Sequence, residues 1–278
     1  MSPIQDQPVP GRLGDFAQEY LANPAVAATP KNAATVMFVR DRDDASGVEV
    51  FMLKRVASMA FAPSTFVFPG GGTDQRDAAE DLPWAGPDAA VWAERFGTDE
   101  GTARMLVATA VREVFEECGV LLAAPGAHDD LVTPAGENWE RYRAQLIAHE
   151  TALHDVLLAE GLVLRSDLLT YRAFWTTPVF EPKRYATRFF IATVPAGQDL
   201  DGATTEAETS GWYVPSELLQ QSRDGEVLML PPTIHSLEQL AEATSAQGAL
   251  TASYAIKHVM PELVETEDGL RLRVDLPD

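Results

Sequence analysis

The chain has 278 residues, of which 46% are hydrophobic and 23% are charged, proportions typical of a globular protein. Asp and Glu outnumber Lys and Arg by 42 to 21, and the resulting net charge of -21 argues against binding of nucleic acid or of an anionic membrane. The sequence has no run of about 18 apolar residues, so we expect no transmembrane helix.

Three short segments in the first part of the chain have the composition of β-strands. Ala34 to Arg40 and Val48 to Arg55 are rich in β-branched and aromatic residues, and a polar, glycine-containing segment separates them, which predicts a β-hairpin. Thr65 to Phe68 forms a third apolar run and is followed by Pro69 and three glycines, Gly70 to Gly72. Because glycine permits unusual backbone angles and close approach, we expect a specialised loop there.

The sequence pattern of the next part of the chain predicts an inserted loop and two long helices. Asp77 to Asp99 lacks sustained periodicity, apart from a short helix expected near Ala89 to Phe96. Thr102 to Glu117 has helical spacing of its apolar residues and should end near Gly119, since glycine suits a left-handed cap. A second helix is expected from Glu137 to Glu160.

The remainder of the chain alternates between predicted strands and short helices. Strands are expected at Leu168 to Trp175, Thr187 to Val194 and Gly211 to Val214, helices at Pro215 to Gln221 and Thr233 to Thr244, and an edge strand at Gly269 to Val274. No repeat and no convincing linker divides the sequence, so we expect one α/β domain over residues 1–278. The single cysteine, Cys118, favours a reducing compartment, and we expect a cytoplasmic protein.

Three carboxylates share one face of the predicted helix 102–117. At about 100° per residue, Glu113, Glu116 and Glu117 lie opposite the apolar side of the helix. Mutual repulsion and the helix dipole both disfavour three anions at this C-terminus. Carboxylate oxygens are the ligands that hard cations such as Mg²⁺ or Mn²⁺ prefer, which makes the cluster a candidate cation site. The alternative is a solvated face on which Arg112 pairs with Glu116 at (i, i+4).

The residues from Arg112 to Val120 also carry a motif. Their sequence, R-E-V-F-E-E-C-G-V, resembles the second half of the Nudix hydrolase signature, G-x5-E-x7-R-E-U-x-E-E-x-G-U with U aliphatic. Gly71 followed by five residues reaches Asp77, an aspartate where the signature has glutamate. Residues 78–111, which are 34 positions, then separate Asp77 from Arg112, whereas the signature has seven.

An insertion inside this signature, at about 78–104, is similar to that of a subgroup that includes peroxisomal coenzyme A diphosphatase. Further segments share the resemblance: Phe66 to Gly71, Trp175 to Pro178, Arg188 to Phe190 and Leu230 to Pro232. The resemblance implies the Nudix α/β/α sandwich, with a mixed central sheet and helical insertions. The insertions, of which the second spans about 126–161, are expected to form a lid or a contact in a homo-oligomer.

The resemblance also implies roles for individual residues. Glu113, Glu116 and Glu117 would be catalytic residues and ligands of Mg²⁺ or Mn²⁺, and Arg112 would orient them. In this family a base can also come from a later loop, which makes Glu206 and Glu208 candidates, with Glu208 as a further metal ligand. The alternative for these two is that they are solvated loop acids.

Substrate contacts are expected from glycines and from the scarce basic residues. Gly71, with its neighbours Gly70 and Gly72, would allow the loop to fold tightly onto the acidic helix. The candidates for phosphate contacts are Lys54, Arg55, Arg184 and Arg188. Each of these four is equally compatible with a surface ion pair.

The resemblance implies a divalent-metal-dependent hydrolase that cleaves the pyrophosphate linkage of a nucleoside diphosphate derivative. Coenzyme A or an acyl ester of it is the first expectation, and a dinucleotide or nucleotide sugar is the second. The partner would therefore be a small molecule, with no nucleic acid and no membrane. The alternative is a non-catalytic module that senses a nucleotide or binds a partner protein on the same fold.

Overall fold

The computed structural model describes residues 4–9, 12–24, 26–44, 46–57, 62–202, 207–267 and 269–276. Eight α-helices lie within these ranges: α1 (Arg12–Ala22), α2 (Ala89–Phe96), α3 (Glu100–Cys118), α4 (Glu137–Ile147), α5 (Leu153–Glu160), α6 (Pro215–Arg223), α7 (Pro231–Ala241) and α8 (Ala246–Thr251). The described strands are β1 (Ile4–Pro8), β2 (Lys31–Asp41), β3 (Val48–Arg55), β4 (Phe66–Val67), β5 (Gly70–Gly72), β6 (Trp84–Ala85), β7 (Ala123–Ala124), β8 (Val163–Arg165), β9 (Thr170–Thr176), β10 (Tyr185–Thr193), β11 (Ala207–Tyr213), β12 (His258–Val259), β13 (Glu262–Thr266) and β14 (Gly269–Asp275).

The central sheet is mixed, as expected. Its order is β11-β3-β2-β10-β9-β12, with β4 on β3 and β5 on β2. The pairs β2–β10 and β9–β12 are parallel, whereas the other pairs are antiparallel. Strand β2 is apolar on both faces, because Val36 and Phe38 pack into one cluster and Met37 and Val39 into another. A strand covered on both sides requires this near-continuous apolar composition.

Helices cover both faces of this sheet and form the expected α/β/α sandwich. On one face, α2 and α3 pack through Trp92, Val107 and Val114 against β2 and β10. On the other face, α6 and α7 contribute Leu218 and Leu237 to the second cluster. Burial of each such aliphatic side chain stabilises the fold by about 1.5–3 kcal/mol.

Helix α3 begins and ends at the residues that its sequence favours. The Asp99 side chain accepts a hydrogen bond from the Thr102 N–H at 2.8 Å, which caps the N-terminus. Gly119 adopts the left-handed conformation with a φ of 72° at the C-terminus. The hairpin of β2 and β3 and the short helix at Ala89–Phe96 also confirm their predictions.

Three predicted elements differ from the structure. Gly70 to Gly72 is not a loop but the short strand β5, which pairs with β2. Glu137 to Glu160 is two helices, α4 and α5, because the chain turns at 148–152, where His149 has a φ of 56°. The strand at Gly269 to Val274 is not an edge strand, since β14 lies between β1 and β13 in a separate sheet. The neighbouring strands were not predicted because they are short and rich in polar residues.

Among the residues described, no helix combines the length and the apolar composition that a bilayer crossing requires. A small third sheet pairs β6, from the first insertion, with β8, which also pairs with β7; β7 and β8 flank the second insertion. The two insertions also contact each other directly, because His154 Nε2 lies 3.2 Å from Asp81 Oδ1.

Candidate active site

The acidic face of α3 is buried rather than solvated. Glu113, Glu116 and Glu117 are 9%, 8% and 9% exposed, which rules out the alternative of a solvent-covered face. All three side chains line a cleft with a cavity volume of about 740 Å³. Burial of three carboxylates beside a cleft is costly, so it requires compensating contacts.

Arg112 supplies much of this compensation. Its Nη1 donates to Glu113 Oε1 at 2.9 Å and to Glu116 Oε1 at 3.0 Å. Its Nη2 donates to the Gly72 carbonyl at 3.0 Å, which joins the helix to β5. The planar guanidinium thus fixes two of the carboxylates and the glycine strand in one arrangement.

Asp77 is a site residue to which the sequence analysis gave no role. It is 3% exposed and accepts hydrogen bonds from Nε and Nη2 of Arg112, both at 3.0 Å. Its Oδ2 also accepts from the Thr109 hydroxyl at 2.9 Å. The spacing of Gly71 and Asp77 in the signature was the available signal, and the long insertion obscured it.

The glycine strand β5 approaches the acidic helix more closely than any side chain would allow. The Gly70 N–H donates to Glu117 Oε2 at 2.7 Å. A Cβ atom at Gly71 would lie 2.5 Å from Glu113 Oε1, closer than nonbonded atoms pack. Gly70 has a φ of 154°, and a Cβ there would lie 2.3 Å from the Ala34 carbonyl oxygen. Gly70 therefore requires glycine, because its neighbours are backbone atoms, whereas Gly71 acts on the site by making room for the Glu113 carboxylate.

Glu113, Glu116 and Glu117 form a carboxylate corner of the cleft, and burial of their charges remains unfavourable despite the contacts of Arg112. Burial raises the pKa of Glu113 to about 7, with Arg112 opposing the shift and Glu116 adding to it. Burial also raises the pKa of Glu116, again against the effect of Arg112. The Arg112 guanidinium pairs with three carboxyl groups here, those of Asp77, Glu113 and Glu116. The corner therefore has an excess of negative charge that a bound cation would offset.

The residues of this corner fit a hard divalent cation by their chemistry. All the candidate ligands are carboxylate oxygens, and Glu113 and Glu116 each contact Arg112 through Oε1, which leaves Oε2 as the ligand atom. In the described part of the chain, no three His, Cys, Asp or Glu side chains stand in a ready-made ion site. The glutamates bind Arg112 and the Gly70 N–H instead, and their side chains would turn toward a cation.

The predicted basic residues separate into two groups. Arg55 lines the cleft, together with Lys31. Arg184 lies outside the cleft lining, and its guanidinium donates to the carbonyls of Thr177 and Ala28 at 3.0 and 2.8 Å. Its role in this structure is to bind backbone, not to face substrate.

Arg188 lies on the wrong face of β10 for the role that we expected. Because side chains alternate along a strand, Thr187 and Phe189 face the cleft, while Arg188 points to the other side. There its guanidinium packs over the Phe174 ring at 3.5 Å, and burial lowers its pKa. The sequence alone does not indicate which face of β10 meets the cleft.

Of the two later acidic candidates, Glu208 does not join the carboxylate corner. Glu208 lies on β11 with 54% of its side chain exposed, and it pairs with Lys54 at 3.0 Å. It does not line the cleft, so its expected role as a metal ligand is not supported by its position, and Lys54 acts as its ion-pair partner. Glu206 lies outside the described residues.

The second insertion contributes to the rim of the cleft. Ile147 and His149, at the end of α4, line it beside Glu116. The insertion at 78–104 instead packs α2 behind α3, away from the opening. The turn after α4 is therefore the part of the insertions that lies at the cleft, and both the lid and the oligomer contact stay predictions.

The family model described as the NUDT19 Nudix domain matches residues 100–240. Putative nudix hydrolase 7 of Caenorhabditis elegans is 26% identical over 217 residues, covering 78% of this chain and 64% of the relative. The acyl-coenzyme A diphosphatase NUDT19 of Homo sapiens is 26% identical over 274 residues, covering 81% and 70%. The crystal structure of a NUDIX hydrolase from Alicyclobacillus acidocaldarius is 27% identical, covers 81% of this chain and 97% of its own, and superposes with a TM-score of 0.67. The chain thus spans slightly less than two thirds of the worm relative.

Proposed function

Because the chain belongs to the Nudix hydrolase family, we propose that it hydrolyses the pyrophosphate linkage of a nucleoside diphosphate derivative, and that this substrate is an acyl-coenzyme A. The observation that carries the proposal is the buried carboxylate corner at the edge of the cleft, formed by Glu113, Glu116 and Glu117. Several relatives of the chain are acyl-coenzyme A diphosphatases by name.

The carboxylate corner would hold the cation that offsets the negative charge of the pyrophosphate. A divalent cation held by Glu113, Glu116 and Glu117 would neutralise the phosphate oxygens that otherwise repel an attacking water. Arg112 and the Gly70 N–H gather the glutamates at one end of the cleft, from where their side chains would turn toward the cation. In the reaction, water adds to one phosphorus, the bond from that phosphorus to the bridging oxygen breaks, and a carboxylate of the corner accepts a proton of the water.

The cleft also contains the positive charge that a pyrophosphate requires. Lys31 at the start of β2 and Arg55 at the end of β3 both contribute to its lining. The same lining contains five carboxylates, those of Asp74, Glu113, Glu116, Glu117 and Glu181, so these basic groups lie in the same cleft as the acidic ones. Charge-assisted hydrogen bonds from such groups are among the stronger contacts to phosphate oxygens.

The remainder of the cleft favours a substrate with an apolar part. Leu13 and Phe16 of α1, Leu228, Pro231 and Leu272 of β14 line it. Apolar surface of this kind gains free energy only when apolar groups leave water to cover it. An acyl-coenzyme A carries a pyrophosphate and a hydrocarbon chain in one molecule, whereas a nucleotide sugar would place hydroxyl groups against this wall.

The test is a substrate panel with product analysis. We would incubate the protein with Mg²⁺ or Mn²⁺ and with coenzyme A, acyl-coenzyme A esters, a dinucleotide and a nucleotide sugar, and identify the products by mass spectrometry. We expect cleavage of the acyl ester into a phosphorylated adenosine and an acylated phosphopantetheine, with a chelator abolishing turnover. No turnover of any compound, together with tight binding of one, would instead favour the nucleotide-sensing module.

A further inference from the structure

The turn between α4 and α5 places a histidine at the rim of the cleft in an unusual backbone conformation. His149 has a φ of 56°, in the left-handed region that non-glycine residues rarely adopt. Its side chain is 68% exposed and lines the cleft near Glu116 and Asp74. Strained residues of this kind persist only where surrounding contacts hold them, and they concentrate at functional sites.

Arg76 provides the contacts that hold this turn. Its Nη1 donates to the carbonyls of His149 at 2.9 Å and Thr151 at 3.1 Å. The guanidinium is itself fixed by Asp74, whose carboxylate accepts from Nε at 3.0 Å and from Nη2 at 2.6 Å. Arg76 precedes Asp77, the partner of Arg112, so His149 is tied to the same short segment that supports the carboxylate corner.

The same arginine also decides which ring nitrogen of His149 carries the proton. Arg76 Nη2 lies 3.2 Å from His149 Nδ1. A guanidinium can only donate, and the Asp74 Oδ2 atom lies farther from Nδ1, at 3.7 Å, so Arg76 favours the neutral tautomer in which Nδ1 accepts and Nε2 carries the proton. The histidine therefore presents an N–H donor on the side of the ring opposite Arg76.

We propose that His149 is a substrate-contacting residue that donates a hydrogen bond from Nε2 to a phosphate oxygen of the pyrophosphate, and that Arg76 is its positioning residue. This inference rests on the proposed function, because the ligand is the group that the carboxylate corner would hydrolyse. Phosphate fits this donor better than an acyl chain does, since His149 lies at the acidic end of the cleft beside Glu116. A hydrogen bond to a charged acceptor is also stronger than one to a neutral group.

Because the backbone at position 149 is left-handed, glycine and asparagine are suitable substitutions there. His149→Gly removes the ring and relieves the strained φ, so the variant should fold at least as well as the wild type. His149→Asn tolerates the same backbone region and keeps an N–H donor. The matched control is His128→Ala, because His128 is an exposed histidine that does not line the cleft.

The first measurement is calorimetric binding of methylenebisphosphonate, a non-hydrolysable pyrophosphate, in the presence of Mg²⁺. We expect His149→Gly to weaken binding about tenfold, His149→Asn to recover part of the loss, and His128→Ala to match the wild type. In turnover assays the glycine variant should raise KM by a similar factor with kcat changed by less than about threefold. Unchanged bisphosphonate affinity in His149→Gly overturns the proposal.

The second measurement is the tautomer of the neutral His149 ring by long-range ¹H–¹⁵N NMR. We expect the Nε2–H form in the wild type and a mixture of tautomers in Arg76→Gln, a change that a merely structural role for Arg76 would not produce. A wild-type ring protonated on Nδ1 overturns the proposal. If the bisphosphonate binds through His149 but no pyrophosphate compound is turned over, the proposed function fails and this inference stands.

Discussion

Asp77 and Arg112 form a buried ion pair between residues 35 positions apart in the sequence. The contact closes the long insertion into a loop, so that the two halves of the family signature meet as they would with a short spacer. Helix α2 fills the space behind α3 within this loop. The insertion thus lengthens the chain without displacing the carboxylate corner.

Loss of this ion pair should destabilise the protein strongly. In Asp77→Asn the guanidinium of Arg112 keeps its burial but loses its main anionic partner, and we expect the free energy of unfolding to fall by about 3–5 kcal/mol. Urea unfolding measures this loss. The matched control is Asp81→Asn in the same insertion, whose carboxylate is 80% exposed and whose replacement should change stability by less than about 0.5 kcal/mol. Equal stability of the two variants would contradict the structural role of Asp77.

The glycine strand offers a sharp comparison between adjacent positions. In Gly71→Ala the new Cβ would lie 2.5 Å from Glu113 Oε1, so Glu113 must move, and we expect kcat/KM to fall by about 10- to 100-fold. In Gly72→Ala the nearest atom, Tyr185 Cε1, lies at an ordinary 3.8 Å, and activity should be retained. Steady-state kinetics of both variants, with melting temperatures as a check on folding, decide the matter. Equal activities would show that close packing at Gly71 is unimportant.

Glu116 should be essential for turnover but not for folding. Glu116→Gln keeps the shape of the side chain and an oxygen that accepts from Arg112, while it removes the charge that would hold a cation. We expect kcat to fall by at least about 100-fold, with a cooperative unfolding transition retained. Glu100→Gln, at the exposed start of the same helix, is the control and should leave kcat unchanged. Near-normal activity of Glu116→Gln would remove the assignment of this corner.

The stability of the protein should depend on pH through Glu113. Its pKa is raised from 4.5 to about 7 in the folded protein, so the folded state binds this proton more tightly than the unfolded chain does. The contribution is therefore fully present below pH 4.5 and is lost as the pH rises through about 7. Urea unfolding in a chelator should show this decline, and Glu113→Gln should reduce it.

Addition of Mg²⁺ or Mn²⁺ above pH 7 should restore stability, because the cation binds the gathered carboxylates of the folded state and not those of the unfolded chain. Identical pH profiles of the wild type and Glu113→Gln would refute the role of Glu113. Absence of any stabilisation by either cation would count against metal binding at this corner.

The apolar wall predicts a preference among substrates. Phe16→Ala should raise KM for a long-chain acyl-coenzyme A about tenfold or more and leave KM for free coenzyme A nearly unchanged, because only the acyl chain covers this ring. Leu21→Ala, on the same helix but 53% exposed, is the control. A rise in KM of the same size for both substrates would place the acyl chain elsewhere.

The sequence predicted the elements that have strong local signals. The apolar spacing and the caps of α3 determine that helix, and the hairpin of β2 and β3 follows from its composition. The break between α4 and α5 has no proline or glycine to mark it. It is held by Arg76, which binds the carbonyls of His149 and Thr151 from more than 70 residues away, and such a tertiary contact leaves no local pattern.

The type of the candidate site was predictable, but its contacts were not. The motif identified the three glutamates, yet nothing in their spacing shows that Asp77 binds Arg112 beside them or that the Gly70 N–H donates to Glu117. The wrong expectation for Arg188 has a similar origin, because alternation along β10 gives two faces and only the packed layers decide which one meets the cleft. His149 has no motif around it and depends on the contacts of Arg76.

The cleft wall formed by α1 and β14 joins residues from opposite ends of the sequence, since Phe16 and Leu272 both line it. The matched family region, residues 100–240, includes neither of them. A piece cut back to that region would keep the three glutamates but lose this wall, together with the bonds that Asp77 and the Gly70 N–H make to Arg112 and Glu117. Under the proposed function, a change at either extremity of the chain would therefore alter how the apolar part of a guest molecule is held.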